Sequence, residues 1–164
     1  MTDQTPDWTA GLVPGTLLSF HFPEAEDGKP GKARPCLLIA IDQDETGMRL
    51  ALAYGTSANT PANRGLDLVL DQEADWSGAG LRRPSRFVLA RRITIMPGDP
   101  RLSFSRKGAP IIGQIPASHM AELARLTSRL DEAIWLDCLR GRKPRRPRLV
   151  PSSSSNPVAM GRLA

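Results

Sequence analysis

Two stretches of the chain, KARPCLLIA at residues 32–40 and AYGTS at residues 53–57, decide how it folds. The first begins as a basic, proline-containing segment and becomes a continuous apolar run, which is typical of a central strand. The second is the end of an alternating strand and closes on two adjacent hydroxyl residues. If the two strands are neighbours, the guanidinium of Arg34 and the hydroxyl of Thr56 lie at adjoining strand ends, an arrangement suited to holding a phosphate group.

Short apolar segments separated by turn-forming residues continue on both sides of this pair. Period-two alternation places Leu18, Phe20 and Phe22 on one face of a strand, and it places the even-numbered residues of 48–54 on one face of another. The same reasoning predicts strands at 16–22, 36–41, 48–54, 66–70, 87–96 and 111–115. The connecting segments predicted between them are loops at 23–33, 58–65 and 97–110, a turn at 42–47 and an irregular stretch at 71–84.

A change from period two to helical spacing predicts one amphipathic helix near residues 118–139, with Ser118 as its N-cap. The sequence therefore indicates a mainly β fold with a helix: a small twisted sheet or barrel closed by one C-terminal amphipathic helix. Residues 1–10 are expected to be a disordered lead-in, residues 11–140 the folded domain, and residues 141–164 a basic, disordered tail.

The net charge of +5 belongs to the end of the chain. Seven of the 22 basic residues and none of the 17 acidic ones lie in 140–164, so residues 1–139 carry 15 basic and 17 acidic side chains, a net charge of −2. Overall basicity is therefore no argument for nucleic-acid binding by the folded domain. A basic tail adds affinity for any polyanion without sequence preference.

Several classes of site find no support in the sequence. The two histidines and two cysteines have no metal-ligand spacing, and no glycine-rich phosphate loop is present, so we expect no metal and no cofactor. The cysteines fit reduced thiols in a cytoplasmic protein. The first residues lack the basic and apolar segments of a secretory signal, and no apolar run approaches the roughly 20 residues that span a bilayer, so we expect neither a secretory signal nor a membrane partner.

The candidate site that remains combines Arg34 with Thr56 and Ser57. Arg34 precedes a proline, which biases its backbone to an extended conformation at the strand entrance. Its guanidinium is permanently charged and matches two phosphate oxygens at once. On residue chemistry alone, an ordinary surface arginine and a turn hydroxyl explain the same pattern, and both interpretations stay open.

The order of these elements resembles the MazF/PemK family of toxin endoribonucleases over roughly residues 14–115. The basic loop, the Arg34-Pro35 element, two apolar strands and the Gly-Thr-Ser ending all follow in the family's order. The resemblance implies an SH3-like barrel that forms a homodimer. It also implies that Arg34 and Thr56 are catalytic. The neighbouring Ser57 and Lys32 are candidate substrate-binding residues. Arg86 is a third candidate, because strand alternation turns it away from Phe87 and toward a phosphate groove, and an exposed edge strand kept soluble by charge explains Arg86 equally well.

The resemblance further implies the activity and the partners of a type II toxin. Single-stranded RNA is cleaved without a metal to 2′,3′-cyclic phosphate and 5′-hydroxyl ends, and an acidic antitoxin protein occupies the RNA groove. The chain departs from the family at RPSRFVLARRI, residues 83–93, which is strongly basic. Two other functions therefore stay open: a non-catalytic toxin of the same fold that inhibits a protein target such as gyrase, and an RNA-binding module without turnover.

Overall fold

The structure, a computed structural model, describes residues 7–23, 30–57 and 66–139. The elements in these ranges are β1 (Thr16–Pro23), β2 (Pro30–Asp44), β3 (Gly47–Thr56), β4 (Asp67–Leu70), α1 (Glu73–Gly78), β5 (Ser85–Ile95), β6 (Ile111–Gln114) and α2 (Met120–Leu139), with 3-10 turns at Asp7–Thr9 and Ala117–His119. The six strands are antiparallel and form one sheet in the order β4-β5-β3-β2-β1-β6, which is curled into a half-barrel. The prediction of a mainly β fold closed by one C-terminal helix is confirmed.

The apolar run of β2 is continuous because this strand is buried on both faces. Leu37 and Ile39 belong to a core between the sheet and α2, whereas Cys36 and Leu38 belong to a second core inside the curled sheet. The predicted face of β1, with Phe20 among its members, lies in the second core, as do Leu50 and Leu52 and the partly buried Met48 and Tyr54 of β3. Both face predictions are therefore confirmed. From α2, the first core receives Leu123, Leu126 and Leu130.

The curl is completed by the segment that follows β5. Leu102 forms an isolated bridge with Phe20 of β1 and enters the second core. The neighbouring Arg101 is fixed by a bidentate ion pair with Asp99, at 3.0 and 2.9 Å, and its guanidinium lies 5.1 Å from the centre of the Phe20 ring. This segment covers the part of β1 that β6 does not reach.

Three predictions of local structure differ most from the structure. β2 begins at Pro30, inside the loop predicted for 23–33, because Pro30 and Ala33 pair with Pro23 and His21 of β1. The stretch predicted as irregular at 71–84 contains α1, a six-residue helix whose Trp76 packs on the first core. Ser118 is not the N-cap of α2, since it lies within the 3-10 turn that precedes the helix.

The chain ends are described only in part. Of the predicted lead-in, residues 1–6 lie outside the described residues; Asp7–Thr9 form a 3-10 turn, Thr9 is buried, and Trp8 packs on the second core. The predicted loop at 58–65 and the predicted tail at 141–164 lie outside the described residues. None of the helices in the described ranges is both long enough and apolar enough to cross a membrane.

His119 ties α1 to the start of α2. Its Nε2 lies 3.0 Å from Oδ2 of Asp75 in α1, and its Nδ1 lies 3.4 Å from Oε2 of Glu122 in α2. The hydrogen bond to the Asp75 carboxylate, more than the one to Glu122, raises the pKa of His119 above its usual 6.5, against the opposing effect of burial. In its protonated form the imidazole donates to both carboxylates and holds the two helices together.

We expect this tie to stabilise the protein at acid pH and to weaken as pH rises. A raised pKa in the folded state means that the stabilisation is complete below the unfolded-state pKa near 6.5 and is lost as pH rises through the folded value. An NMR titration of the imidazole checks this: Asp75→Asn should lower the pKa of His119 more than Glu122→Gln does. Equal shifts in the two variants would contradict the assignment of Asp75 as the main partner.

Candidate functional site

A cleft of about 540 Å³ opens at the ends of β2 and β3, and we call it the strand-end cleft. One wall is formed by residues 33–35 of β2 and 55–57 at the end of β3. A second wall is the α1–β5 connection at 80–83, and Ser19, Ser85 and Ile112 complete the lining. Three of the predicted site residues, Arg34, Thr56 and Ser57, thus line the same cleft.

The composition of this lining is strongly biased toward anion binding. It includes three arginines and four hydroxyl residues, and among the described residues that line it there is no aspartate and no glutamate. Guanidinium and hydroxyl groups are donors that match phosphate oxygens. The bias is local, because residues 1–139 as a whole carry a net charge of −2.

Gly55 allows the two strands of the first wall to approach each other closely. A Cβ at this position would lie 1.8 Å from the carbonyl oxygen of Pro35 and 2.9 Å from Cε1 of Phe87. Any side chain would therefore push β3 away from β2 or from the first core. The glycine between Tyr54 and Thr56 is thus required for Thr56 to end its strand beside Arg34-Pro35.

Strand alternation places Arg34, Tyr54 and Thr56 on the face of the sheet that contains the second core. The guanidinium of Arg34 lies 5.8 Å from the centre of the Tyr54 ring, within range of a cation–π contact. Arg34 is therefore partly buried beside an aromatic ring and is not a freely rotating surface cation. The next residues along each strand, Pro35 and Gly55, face the other way.

A second arginine stacks on the same tyrosine. The guanidinium of Arg91 lies 4.0 Å from the centre of the Tyr54 ring and 5.1 Å from that of Phe22. Arg91 occupies a bulge in β5, because the pairing of that strand moves from Arg92 to Val88 between the adjacent β3 residues Ala53 and Tyr54. Bulges re-aim side chains in this way, and the strand pattern of the sequence gives no signal for this one.

Cys36 follows Arg34-Pro35 on β2 and is fully buried. Burial raises the pKa of its thiol to about 12, although the backbone N–H of Gly55 and the charges of Arg34 and Arg91 act in the opposite direction. The thiol is therefore protonated at neutral pH and has the character of a packing group, not of a nucleophile.

The structure places the other two predicted substrate-binding residues outside the described lining of the cleft. Lys32 is exposed on β2. Nε of Arg86 lies 3.1 Å from Oδ2 of Asp67 in a largely buried ion pair, and burial raises the pKa of Asp67 even though the Arg86 charge lowers it. Arg86 pairs with Thr56 in the sheet register, so the two share a face. Substrate contacts by Lys32 and Arg86 stay predictions.

Sequence reasoning missed Arg82 and Arg83, which line the second wall. Arg83 begins the basic stretch at 83–93 that sets this chain apart and Arg82 directly precedes it, so the composition carried a signal, but their place in the cleft depends on how α1 and β6 pack. Among the described residues, no group of three or more histidine, cysteine, aspartate or glutamate side chains is placed to hold a metal ion. In sequence comparisons, the chain matches no protein-family model and no curated protein.

Proposed function

We propose that this protein is an endoribonuclease that cleaves single-stranded RNA without a metal, leaving 2′,3′-cyclic phosphate and 5′-hydroxyl ends. The observation that carries the proposal is the strand-end cleft. Its lining includes Arg34 and Thr56, whose side chains share one face of the sheet, together with two further arginines and three further hydroxyl residues, and no acidic residue is among the described ones. This donor set fits a phosphodiester whose negative charge increases during reaction.

In this reaction the 2′-oxygen attacks the adjacent phosphorus, a 2′-O–P bond forms and the P–O5′ bond breaks. The 2′-hydroxyl loses its proton and the 5′-oxygen gains one. Arg34 stabilises the extra charge of the pentavalent phosphorane, and Thr56 orients the same phosphoryl group by donating a hydrogen bond. Partial burial of Arg34 against Tyr54 strengthens the electrostatic effect, because a guanidinium removed from water is less screened.

The remaining parts of the proposal come from the resemblance to MazF/PemK toxins. The curled six-stranded half-barrel and the C-terminal helix agree with an SH3-like barrel of that family. We accordingly propose a cytoplasmic toxin of a type II toxin–antitoxin system that forms a homodimer and is held inactive by an acidic antitoxin. A cleft whose described lining is cationic and lacks carboxylates is suited to an acidic polypeptide as well as to RNA.

One observation favours a second candidate, an RNA-binding module without turnover. The described lining of the cleft contains no histidine, aspartate or glutamate, and these are the usual acceptors for a proton at neutral pH. Arginine is very hard to deprotonate. Binding without cleavage therefore uses the same residues and needs no general base.

One assay distinguishes the endoribonuclease from the RNA-binding module without turnover. Purified protein is incubated with mixed-sequence single-stranded RNA in EDTA, and the ends of the fragments are mapped. We expect cleavage at short defined motifs with cyclic-phosphate ends, and we expect none when the nucleotide at the mapped site carries a 2′-deoxyribose, since the attacking oxygen is then missing. RNA binding with no cleavage in either substrate would support the binding module instead.

A further inference from the structure

Arg34, Thr56 and Arg86 lie in one row across three neighbouring strands. The sheet order places β3 between β2 and β5. In the register of β3 with β5, Thr56 lies directly opposite Arg86. The register of β2 with β3 pairs Leu37 with Ala53, and its continuation by three residues brings Arg34 opposite Thr56. Opposite side chains in an antiparallel sheet have Cβ atoms about 5 Å apart, so the row sets a hydroxyl between two guanidinium groups.

The three side chains of this row share one face of the sheet. Phe87, the neighbour of Arg86 on β5, is buried in the first core, and strand alternation therefore turns Arg86 to the opposite face. Arg34 and Thr56 lie on that same face, since Tyr54 of the same strand as Thr56 packs on the second core. Register and face together thus place Arg86 beside the two residues assigned to the reacting phosphate.

Asp67, the first residue of β4, holds Arg86 in this row. Asp67 pairs with Val88, two residues along β5 from Arg86, and so shares the face of Arg86. Nε of Arg86 lies 3.1 Å from Oδ2 of Asp67, and only 13% of the Arg86 side chain and 6% of the Asp67 side chain are exposed. Oδ1 of Asp67 is enclosed as well and accepts no hydrogen bond within the described ranges. Within those ranges, the ion pair with Arg86 is thus the contact that compensates the charge of Asp67.

Stability alone is a poor explanation for this ion pair. Taking two charged groups out of water costs free energy that their attraction often fails to return, and apolar residues of similar volume are frequently as stable or more stable. Burial raises the pKa of Asp67 although the Arg86 charge lowers it, as expected for a carboxylate held away from water. What the pair achieves is orientation, because a carboxylate fixes the plane of a guanidinium before that group meets an anion. A cation that is fixed in advance loses less conformational entropy on binding.

We propose that Asp67 is a positioning residue, which fixes the guanidinium of Arg86 beside Thr56. Arg86 then binds the phosphoryl group from the side of β5, while Arg34 binds it from the side of β2. This inference rests on the proposed function in taking Arg34 and Thr56 as the site of the reacting phosphate. Asp67 itself touches no part of the substrate and transfers no proton, and it acts through Arg86.

The test compares how Asp67→Asn and Arg86→Ala bind a fluorescent 2′-O-methyl RNA of about eight nucleotides, which the proposed reaction cannot cleave. Affinity for the full chain is measured by anisotropy at a temperature at which each variant is folded. Arg86→Ala should bind about tenfold more weakly, because a charge-assisted contact with the phosphoryl group is lost. Asp67→Asn should bind about fivefold more weakly. Its lost negative charge would by itself tighten the binding of a polyanion, so the direction of the change separates positioning from simple charge.

A double variant and a charge-matched control complete the comparison. If Asp67 acts through Arg86, Asp67→Asn should cause no further loss of affinity in the Arg86→Ala background. Arg86→Lys keeps the charge without the planar fork and should recover part of the affinity. The control is Asp44→Asn, which removes the same charge from the exposed Arg49–Asp44 pair at the other end of the β2–β3 hairpin and should not weaken binding. Affinity that is unchanged or higher in Asp67→Asn, or losses that multiply in the double variant, would overturn the proposal.

A second measurement leaves Asp67 in place and decides the question if Asp67→Asn does not fold. The NMR signal of the Arg86 Nε–H group, identified by its absence from Arg86→Lys, should shift when the RNA is added to the unmodified protein. An unmoved signal, or no binding of the RNA at all, would overturn the proposal. If binding is as expected but ordinary RNA is not cleaved, the proposed reaction fails and the role of Asp67 stands. Normal cleavage by the unmodified protein together with unchanged RNA affinity in Asp67→Asn has the opposite meaning.

Discussion

Arg34→Ala should reduce RNA cleavage by on the order of 10³-fold, since losing one preorganised donor to a developing negative charge costs about 10²–10³ and this donor also carries a full charge. Thr56→Ala should cost less, about 10²-fold, because a neutral hydroxyl contributes orientation and one hydrogen bond. Both effects should appear in single-turnover rates at saturating enzyme, where weaker binding no longer contributes. The measurement is the rate of cyclic-phosphate formation from a substrate with one mapped site.

The structure suggests which controls keep this result interpretable. Arg34 contacts Tyr54, so Arg34→Ala removes a cation–π contact of about 0.5–1 kcal/mol as well as the charge. Arg34→Lys retains the charge but loses the planar fork, and it should recover only part of the rate. The melting temperature of each variant shows whether the fold is intact. Arg125→Ala, on the exposed surface of α2, should cleave at the normal rate.

The same variants discriminate among the functions that the sequence left open. If Arg34→Ala cleaves RNA at the normal rate, Arg34 is not part of the catalytic site, whichever enzyme in the preparation cuts the RNA. A toxin that acts on a protein target should inhibit growth without cutting RNA, and its toxicity need not depend on Thr56. Loss of both cleavage and toxicity in Arg34→Ala and Thr56→Ala, with binding of uncleavable RNA retained, is the combination expected for a ribonuclease.

Local patterns were sufficient to predict the elements with a clear period. Alternation located β1 and β3 and the faces that enter the second core, and the helical spacing located α2, because each of these elements carries apolar side chains along one face. Residues 30–33 were predicted as loop on their Pro and Gly content, yet they pair with β1, and pairing with a neighbouring strand outweighs local propensity. The six residues of α1 are too few to show a helical period.

The residues of the candidate site also divide into those that local patterns predict and those that they do not. Arg34, Thr56 and Ser57 could be predicted because each lies close to the end of a strand whose position the sequence pattern defines. Arg91 was not, since a bulge in β5 directs it onto Tyr54 and alternation fails there. Arg82 and Arg83 required knowledge of the contact between Ala79 and Gly113, which brings together residues distant in the sequence.

Gly55→Ala should be the most damaging single methyl addition at this site. The new Cβ would lie 1.8 Å from the Pro35 carbonyl oxygen, a backbone atom that cannot rotate away. Overpacking typically costs about 1–3 kcal/mol, and a clash with backbone belongs at or above the upper end of that range. We therefore expect a loss of about 3 kcal/mol in the free energy of unfolding, measured by urea denaturation, and a fall in melting temperature of roughly 10 °C.

Gly78→Ala is the matched control, because a Cβ at the end of α1 meets no atom within 4 Å. Alanine is favoured over glycine in a helix by about 0.5–1 kcal/mol, so this variant should be as stable as the unmodified protein or slightly more stable. If Gly55→Ala and Gly78→Ala unfold at the same urea concentration, then β2 and β3 do not approach as closely as the structure has them.

The effect of Gly55→Ala on the site is separable from its effect on stability. Separation of β2 from β3 at this point moves Thr56 relative to Arg34, and a misplacement of about 1 Å can cost about 10²-fold in rate. At a temperature where the variant is fully folded, cleavage should therefore be reduced by at least that factor. A stable core substitution elsewhere, Ile95→Val on the far part of β5, should lower the melting temperature slightly and leave the rate unchanged. A Gly55→Ala protein that is folded and fully active would show that the close approach of the two strands has no part in catalysis.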